Sequence, residues 1–302
     1  MNRNPPPQLL QAASLALSEA PNADAALMLG QILVQGGRLA PEDVDRVVEF
    51  QREKSVRFGQ AGQRLGLLTP DDLRYGLSVQ FDYPYLGPDS ALDARLLAAH
   101  QPESAQAEQW RALRSELALR WLSVPNPSRA LAVVSPDRRE GRSLAAANLA
   151  IAFSQLGQRT LLIDADLRQP RQQALFGLSQ RQRQGLSDLL AGRVGQQVLC
   201  AIEGLRCLSV LPAGTPVPNP QELLARPAFD QLLQSLAQDH AVVILDTPAA
   251  SQCADAQTVA VRAGAALLLA RRHASSLPRL AQLRQGLGSL GVALVGSVLQ
   301  EG

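Results

Sequence analysis

From about residue 105 onward, short runs of consecutive apolar residues alternate with amphipathic stretches. This alternation narrows the possible folds more than any other property of the 302-residue chain. The apolar runs are 131–134, 160–163, 208–211, 242–245, 265–269 and 292–298, and the helical spacings 143–156, 221–236 and 277–290 lie between them. Strands lacking polar alternation must be buried on both faces, so the pattern predicts an α/β domain with a mostly parallel sheet and helices on both sides. Ligands on such sheets sit beyond the carboxyl ends of the strands.

Three of those strand ends carry polar chemistry. The first continues as Ser135-Pro136-Asp137-Arg138-Arg139-Glu140-Gly141-Arg142-Ser143 and runs into a helix. A loop entering a helix N-terminus and ending Gly-basic-Ser suits phosphate, because backbone N–H groups and the helix dipole both favour an anion. In the usual G-x-x-x-x-G-K-[ST] pattern the basic residue reaches the β/γ-phosphates and the hydroxyl ligates Mg²⁺. Here Arg142 stands for the lysine, and no glycine occurs from Ser135 to Glu140. The second strand ends in Asp164-Ala165-Asp166-Leu167-Arg168 and the third in Asp246-Thr247-Pro248. A carboxylate ending an apolar strand is costly unless it holds a cation or caps the next helix, and both readings stay open.

The first hundred residues have a different organisation. Met28-Leu29-Gly30 recurs as Arg57-Phe58-Gly59, Gly37 as Gly66 and Gln51 as Gln80, each 29 residues on. Val44 and Val48 match Leu73 and Leu77, an i, i+4 stripe on a helix. Pro41-Glu42-Asp43 and Thr69-Pro70-Asp71-Asp72 supply helix starts, so each copy reads helix, glycine turn, helix. The expected division is a tail at 1–24, a small mainly helical two-repeat domain at 25–90, a linker with a short helix at 91–104 and the α/β domain at 105–302.

Composition excludes several classes. Net charge is +2, which argues against a nucleic-acid coat. Lys54 is the only lysine, so no lysine in 105–302 can serve a phosphate site. Three cysteines without a C-x-x-C pair argue against a disulfide framework or a zinc site. No run approaches the ~20 apolar residues of a membrane span, and the N-terminus has no signal-peptide core. A cytoplasmic protein is expected.

The order loop–Ser, D-x-D-x-R and apolar-D-T-P resembles the bacterial tyrosine kinases that control polysaccharide chain length, P-loop proteins related to the MinD/ParA ATPases. The resemblance covers residues 105–302. Glu108, Arg111 and Arg114 match that family's E-x-x-R-x-x-R oligomerisation motif, with a solvated face of i, i+3 ion pairs as the alternative. The segments Leu211-Pro212-Ala213-Gly214, Pro218-Asn219-Pro220-Gln221-Glu222-Leu223-Leu224 and Asp255-Ala256 match as well. In the subgroup accompanying proteobacterial exopolysaccharide export, the loop often reads S-P-x-R-G-E-G-R-S. Arg142 follows that pattern, whereas Arg139 stands where it has glycine.

The resemblance implies ATP/ADP and Mg²⁺ as cofactors, with Ser143, Asp164, Asp166 and Asp246 around the metal and its waters. It makes Asp164 or Asp166 the base for a tyrosine hydroxyl and Arg142 a catalytic phosphate contact. Ser135, Arg139, Glu140, Gly141, Leu144, Arg168 and Asp246 complete the nucleotide site. It further implies a homo-oligomer recruited to the inner face of the plasma membrane by a membrane-embedded chain-length determinant protein. No tyrosine follows Tyr85, so the acceptor is expected on a partner or at Tyr75, Tyr83 or Tyr85. Two alternatives stand beside kinase activity: a catalytically impaired nucleotide-binding scaffold, and a MinD/ParA-like ATPase. The repeat resembles the N-terminal domain of type II secretion and type IV pilus ATPases. That likeness implies cyclic di-GMP at Gly30, Gly37, Gln51, Arg57, Gly59, Gly66 and Gln80, with protein docking as the alternative.

Overall fold

The computed structural model describes residues 23–81, 86–87, 90–123, 129–178 and 183–301. The expected tail up to residue 22, and the Tyr83-Pro84-Tyr85 stretch expected to close the first domain, lie outside them. The chain divides into two compact units, with the boundary between residues 88 and 89.

The first unit is two helix–turn–helix copies: α1 (Ala23–Gln35) with α2 (Pro41–Lys54), then α3 (Phe58–Arg64) with α4 (Pro70–Gln80). Pro41 begins α2, whose first turn carries Glu42 and Asp43 and whose last carries Arg52 and Lys54, matching the helix dipole at both ends. Thr69 caps α4 in a reciprocal box: its hydroxyl accepts from the Asp72 N–H at 3.1 Å, and Asp72 Oδ2 accepts from the Thr69 N–H at 2.9 Å. Gly37 (φ +66°) and Gly66 (φ +70°) turn the chain in the left-handed region, which a side chain would strain. Leu29, Leu33, Leu39, Val47, Phe58, Ala61 and Leu68 form the core. Arg38 donates to Asp71 and Asp72 at 2.9 Å each, tying the first turn to the start of α4.

The second unit is a seven-stranded sheet of order β3-β4-β2-β5-β1-β6-β7. Its strands are β1 (Ala130–Val134), β2 (Thr160–Asp164), β3 (Cys200–Ile202), β4 (Leu205–Leu211), β5 (Val242–Asp246), β6 (Ala265–Arg271) and β7 (Ala293–Gln300). All neighbours are parallel except β3 and β4. Every residue of β1, β2 and β5 is buried. Ala130, Ala132, Val134, Leu161, Ile163, Val243 and Leu245 pack with α10 (Pro220–Leu224), α11 (Pro227–Asp239), α12 (Asp255–Ala263) and α13 (Leu277–Ser289). Their alternates Leu131, Val133, Leu162 and Ile244 are equally enclosed, and α7 (Arg142–Ser154) packs along β1, β2, β4 and β5. Two short helices, α8 (Gln172–Leu175) and α9 (Leu186–Leu190), follow β2.

The stretch 91–104 contains one short helix. This helix, α5 (Leu97–His100), is held to α7, where the Ala98 N–H donates to Asn148 Oδ1 at 2.9 Å and Gln155 Nε2 to the Ala98 carbonyl at 2.7 Å. Two features depart from the sequence pattern. The single helix read over 221–236 is two, because Pro227 forces Arg226 into an extended conformation (ψ 145°). The antiparallel edge strand β3 has no counterpart in the apolar pattern, its middle residue Ala201 being exposed.

Candidate nucleotide site

The three strands that end in polar motifs are neighbours in the sheet, in the order β2-β5-β1. Register sets Asp164 directly beside Asp246, and Asp246 beside Val133. The turns beyond β1 and β5 are stitched together. The Thr247 hydroxyl donates to the Val133 carbonyl at 2.7 Å, and the Ala250 and Ser251 N–H groups donate to Ser135 and Pro136 at 3.1 and 2.9 Å.

The loop enters α7 through Gly141, at φ +87°, where a Cβ would come within 2.1 Å of Gln300 Oε1. Gly141 offers no side-chain cap, so the first N–H groups of α7, those of Ser143 and Leu144 included, have no side-chain acceptor. The charged side chains of the loop are turned into protein contacts. Buried Arg142 donates from Nε to the Thr247 carbonyl at 2.9 Å, and from one terminal nitrogen to Ser135 Oγ at 2.6 Å and the Asp137 carbonyl at 2.7 Å. Burial pulls its guanidinium below the ordinary range, against the charges of Asp246, Asp166 and Glu140. Glu140, expected at the nucleotide, instead braces the loop, accepting from the Asp137 N–H at 2.7 Å and from the Ser275 hydroxyl. Asp137 pairs with Arg279 at 2.6 Å. Arg139 is exposed at φ +61°, the left-handed conformation that favours glycine, and its carbonyl accepts from Arg271 at 3.1 Å.

The carboxylates are unequal. Asp164 is fully enclosed, and its Oδ2 accepts from the Arg171 and Gln172 N–H groups at 2.9 Å each, so it caps the next short helix. Burial, with Asp246 beside it, holds its carboxyl well above the usual range despite those bonds. Asp166 retains 7% exposure and accepts from the Arg168 and Gln169 N–H groups at 3.2 and 2.9 Å. Asp246 is also fully enclosed. Burial pushes its pKa up to about 6, opposed by hydrogen bonding from Ser143 and Gln172 and by the Arg142 charge. Its Oδ1 has no hydrogen-bond partner.

Arg168 does not enter the loop. It forks onto buried Asp255 at 2.8 and 3.3 Å, which gives the Asp255-Ala256 segment a structural role. Gln172 was not singled out by the sequence, where it lies in the polar run Arg168-Gln169-Pro170-Arg171-Gln172-Gln173. Its Nε2 donates to Asp246 Oδ2 at 2.7 Å and to the Ser143 carbonyl at 3.0 Å, joining two of the three strand-end motifs.

On α6 (Ala105–Leu117), Arg111 pairs with Glu108, Nε to Oε2 at 2.7 Å, and donates to the Pro102 carbonyl at 2.6 Å. Arg114 donates to the Ala152 carbonyl in the last turn of α7 at 3.1 Å. In the helical unit, a Cβ on Gly30 would lie 3.2 Å from Phe58, and one on Gly59 would lie 2.9 Å from Leu73. Gln51 is buried, Gln80 half-buried and Arg57 exposed. Helix packing and the two turns therefore account for the repeated glycines without a ligand.

Among the described residues, no group of three or more His, Cys, Asp or Glu side chains is spaced to hold a metal by itself. The expected set of Asp164, Asp166 and Asp246 is thus not a ready-made cage. Mg²⁺ does not need one, since it keeps several waters and uses one or two carboxylates plus phosphate oxygens. The bare Asp246 Oδ1, with the half-exposed Ser143 in the first turn of α7, fits such an ion.

A mostly parallel sheet with a loop entering a helix at one strand end, and carboxylates at the two adjoining strand ends, defines an α/β protein of the P-loop type. No family model matches the chain. Individual relatives do. It is 30% identical over 210 residues to tyrosine-protein kinase YwqD of Bacillus subtilis, covering 70% of this chain and 87% of that one. The kinase domain of the Escherichia coli tyrosine kinase ETK superposes with a TM-score of 0.63 at 31% identity, covering 68% of this chain and 79% of that domain. The Pyrococcus furiosus cell-division ATPase MinD superposes at 0.50 with 25% identity, over 57% of this chain and 71% of that one. The chain belongs to the bacterial tyrosine-kinase family. Among the described residues, no helix is long and apolar enough to cross a membrane.

Proposed function

We propose that the second unit binds magnesium–ATP and transfers the γ-phosphoryl group to tyrosine on a partner, in the control of exopolysaccharide chain length or export. The observation that carries this reading is the bare Oδ1 of buried Asp246, beside Ser143 at the uncapped start of α7. Bound magnesium–ATP supplies the phosphoryl group and the charge neutralisation its transfer requires. Ser143 and Asp246 would hold the ion, and the loop and first-turn N–H groups bind phosphate. Asp166, less enclosed than Asp164, takes the proton of the tyrosine hydroxyl. Arg142 serves a phosphate only by exchanging its bonds to Ser135, Asp137 and Thr247. Glu108, Arg111 and Arg114 form the contact between copies, and a membrane-embedded chain-length determinant is the partner. The helical unit serves docking.

A second reading is favoured by the three internal bonds of Arg142: a scaffold that binds nucleotide and turns over poorly. Titration calorimetry with Mg-ADP, run beside a phosphotyrosine assay using Mg-ATP and a glutamate–tyrosine copolymer, separates the two. Binding with phosphotyrosine supports the kinase, and binding without it supports the scaffold. No binding removes both.

A further inference from the structure

Gln172 contacts all three strand-end motifs, through Asp164, Ser143 and Asp246. Its backbone N–H caps Asp164, and its carboxamide nitrogen donates to both Asp246 Oδ2 and the Ser143 carbonyl. Both of those partners are acceptors, so only the NH₂ end can face them, and the orientation of the amide follows from chemistry. The side chain is completely buried, yet its Oε1 has no hydrogen-bond partner, like Asp246 Oδ1. These two bare acceptors belong to groups joined by a single 2.7 Å hydrogen bond. A buried carbonyl and a buried carboxylate oxygen both left without donors are costly, and a hydrated divalent cation satisfies both, by coordination and through the protons of its waters.

Glutamine has the chemistry the position needs. Lysine or arginine would neutralise Asp246 and compete with a cation, whereas glutamate could not donate to Asp246 and Ser143 when ionised. We propose that Gln172 is a positioning residue of the metal site, holding Asp246 and the first turn of α7 in place and presenting Oε1 to the hydration shell of the ion. This rests on the reading of Ser143 and Asp246 as the Mg²⁺ site.

The test is calorimetric, on the full chain, with ADP titrated in EDTA and Mg²⁺ titrated at fixed ADP. Removing a residue that orients a metal ligand typically costs 10–100-fold in metal affinity. For Gln172→Met the expected result is a rise of about tenfold or more in the Mg²⁺ concentration giving half-saturation, with metal-free ADP affinity within about twofold of wild type. Gln172→Asn, which keeps the amide one methylene short of its two partners, is expected to behave the same way and stands in should the methionine variant not fold. An unchanged Mg²⁺ requirement in either folded variant overturns the inference while the nucleotide reading stands. Equal loss of metal-free and Mg²⁺-dependent affinity overturns it too, by showing a general structural role. Failure of wild type to bind Mg-ADP at all overturns both.

Discussion

The two halves of the nucleotide site differ in how fully their polar groups are matched. On the loop side, Arg142 makes three internal hydrogen bonds, Glu140 is engaged at both oxygens, and Asp137 is paired with Arg279. On the strand side, Asp246 Oδ1 and Gln172 Oε1 are buried and unmatched. The loop is also the half that departs from the usual motif, with arginine at 142 and a non-glycine residue at 139. Departure from the phosphate motif therefore coincides with self-satisfaction of the loop, while the half suited to a metal keeps open capacity.

The largest test of that contrast is Asp246→Asn. It is expected to reduce Mg-ADP affinity by roughly 100-fold while leaving metal-free ADP binding nearly unchanged, as read by calorimetry. An equal loss in both would show that the open capacity is not metal-directed. The same carboxyl gives a pH signature. Its folded pKa of about 6 lies above the ordinary 3.8, so the folded state holds this proton longer than the unfolded one. Its contribution to the stability of the ligand-free protein is then full below about pH 4 and is lost as pH rises through about 6, by roughly 3 kcal/mol at most. The stability difference between wild type and Asp246→Asn in denaturant melts across that range should show this slope.

The loop side is sharpened by Arg142→Lys. A lysine cannot span Ser135, Asp137 and Thr247 together, so stability should drop by about 1–3 kcal/mol. Phosphoryl transfer should rise, by about 10–100-fold if the internal bonds are the obstacle. A stable variant with unchanged turnover would break the contrast. The smallest effect is expected from Arg139→Gly. Relief of the left-handed φ outweighs the added chain entropy of glycine, giving a gain of about 0.5–1 kcal/mol in urea melts. The Arg139 carbonyl contact to Arg271 needs no side chain and should survive.

The sequence made the strands of the sheet legible because uninterrupted apolar runs have one stable environment, and an aspartate closing such a run marks its own position. Asp164, Asp166 and Asp246 could be located this way before any coordinates. Their division of labour could not, since whether a strand-end carboxylate caps a helix or keeps an open oxygen depends on where residues 171 and 172 return. Gln172 has no periodicity or charge to distinguish it from the polar residues around it. The break before Pro227 was readable from proline stereochemistry alone. Strand β3 was not, because three residues paired antiparallel at an edge need no continuous apolar run.

The side-by-side register of Asp164 and Asp246 means that β2 and β5 cannot slip by one residue without sending one carboxylate to the opposite face. A ligand joining Asp246 to Ser143 would accordingly act as a rivet between the central strand and α7, and its occupancy would report correct strand alignment. Hydrogen exchange should then slow first at the middle of the sheet, with the short outer strand β3 responding least.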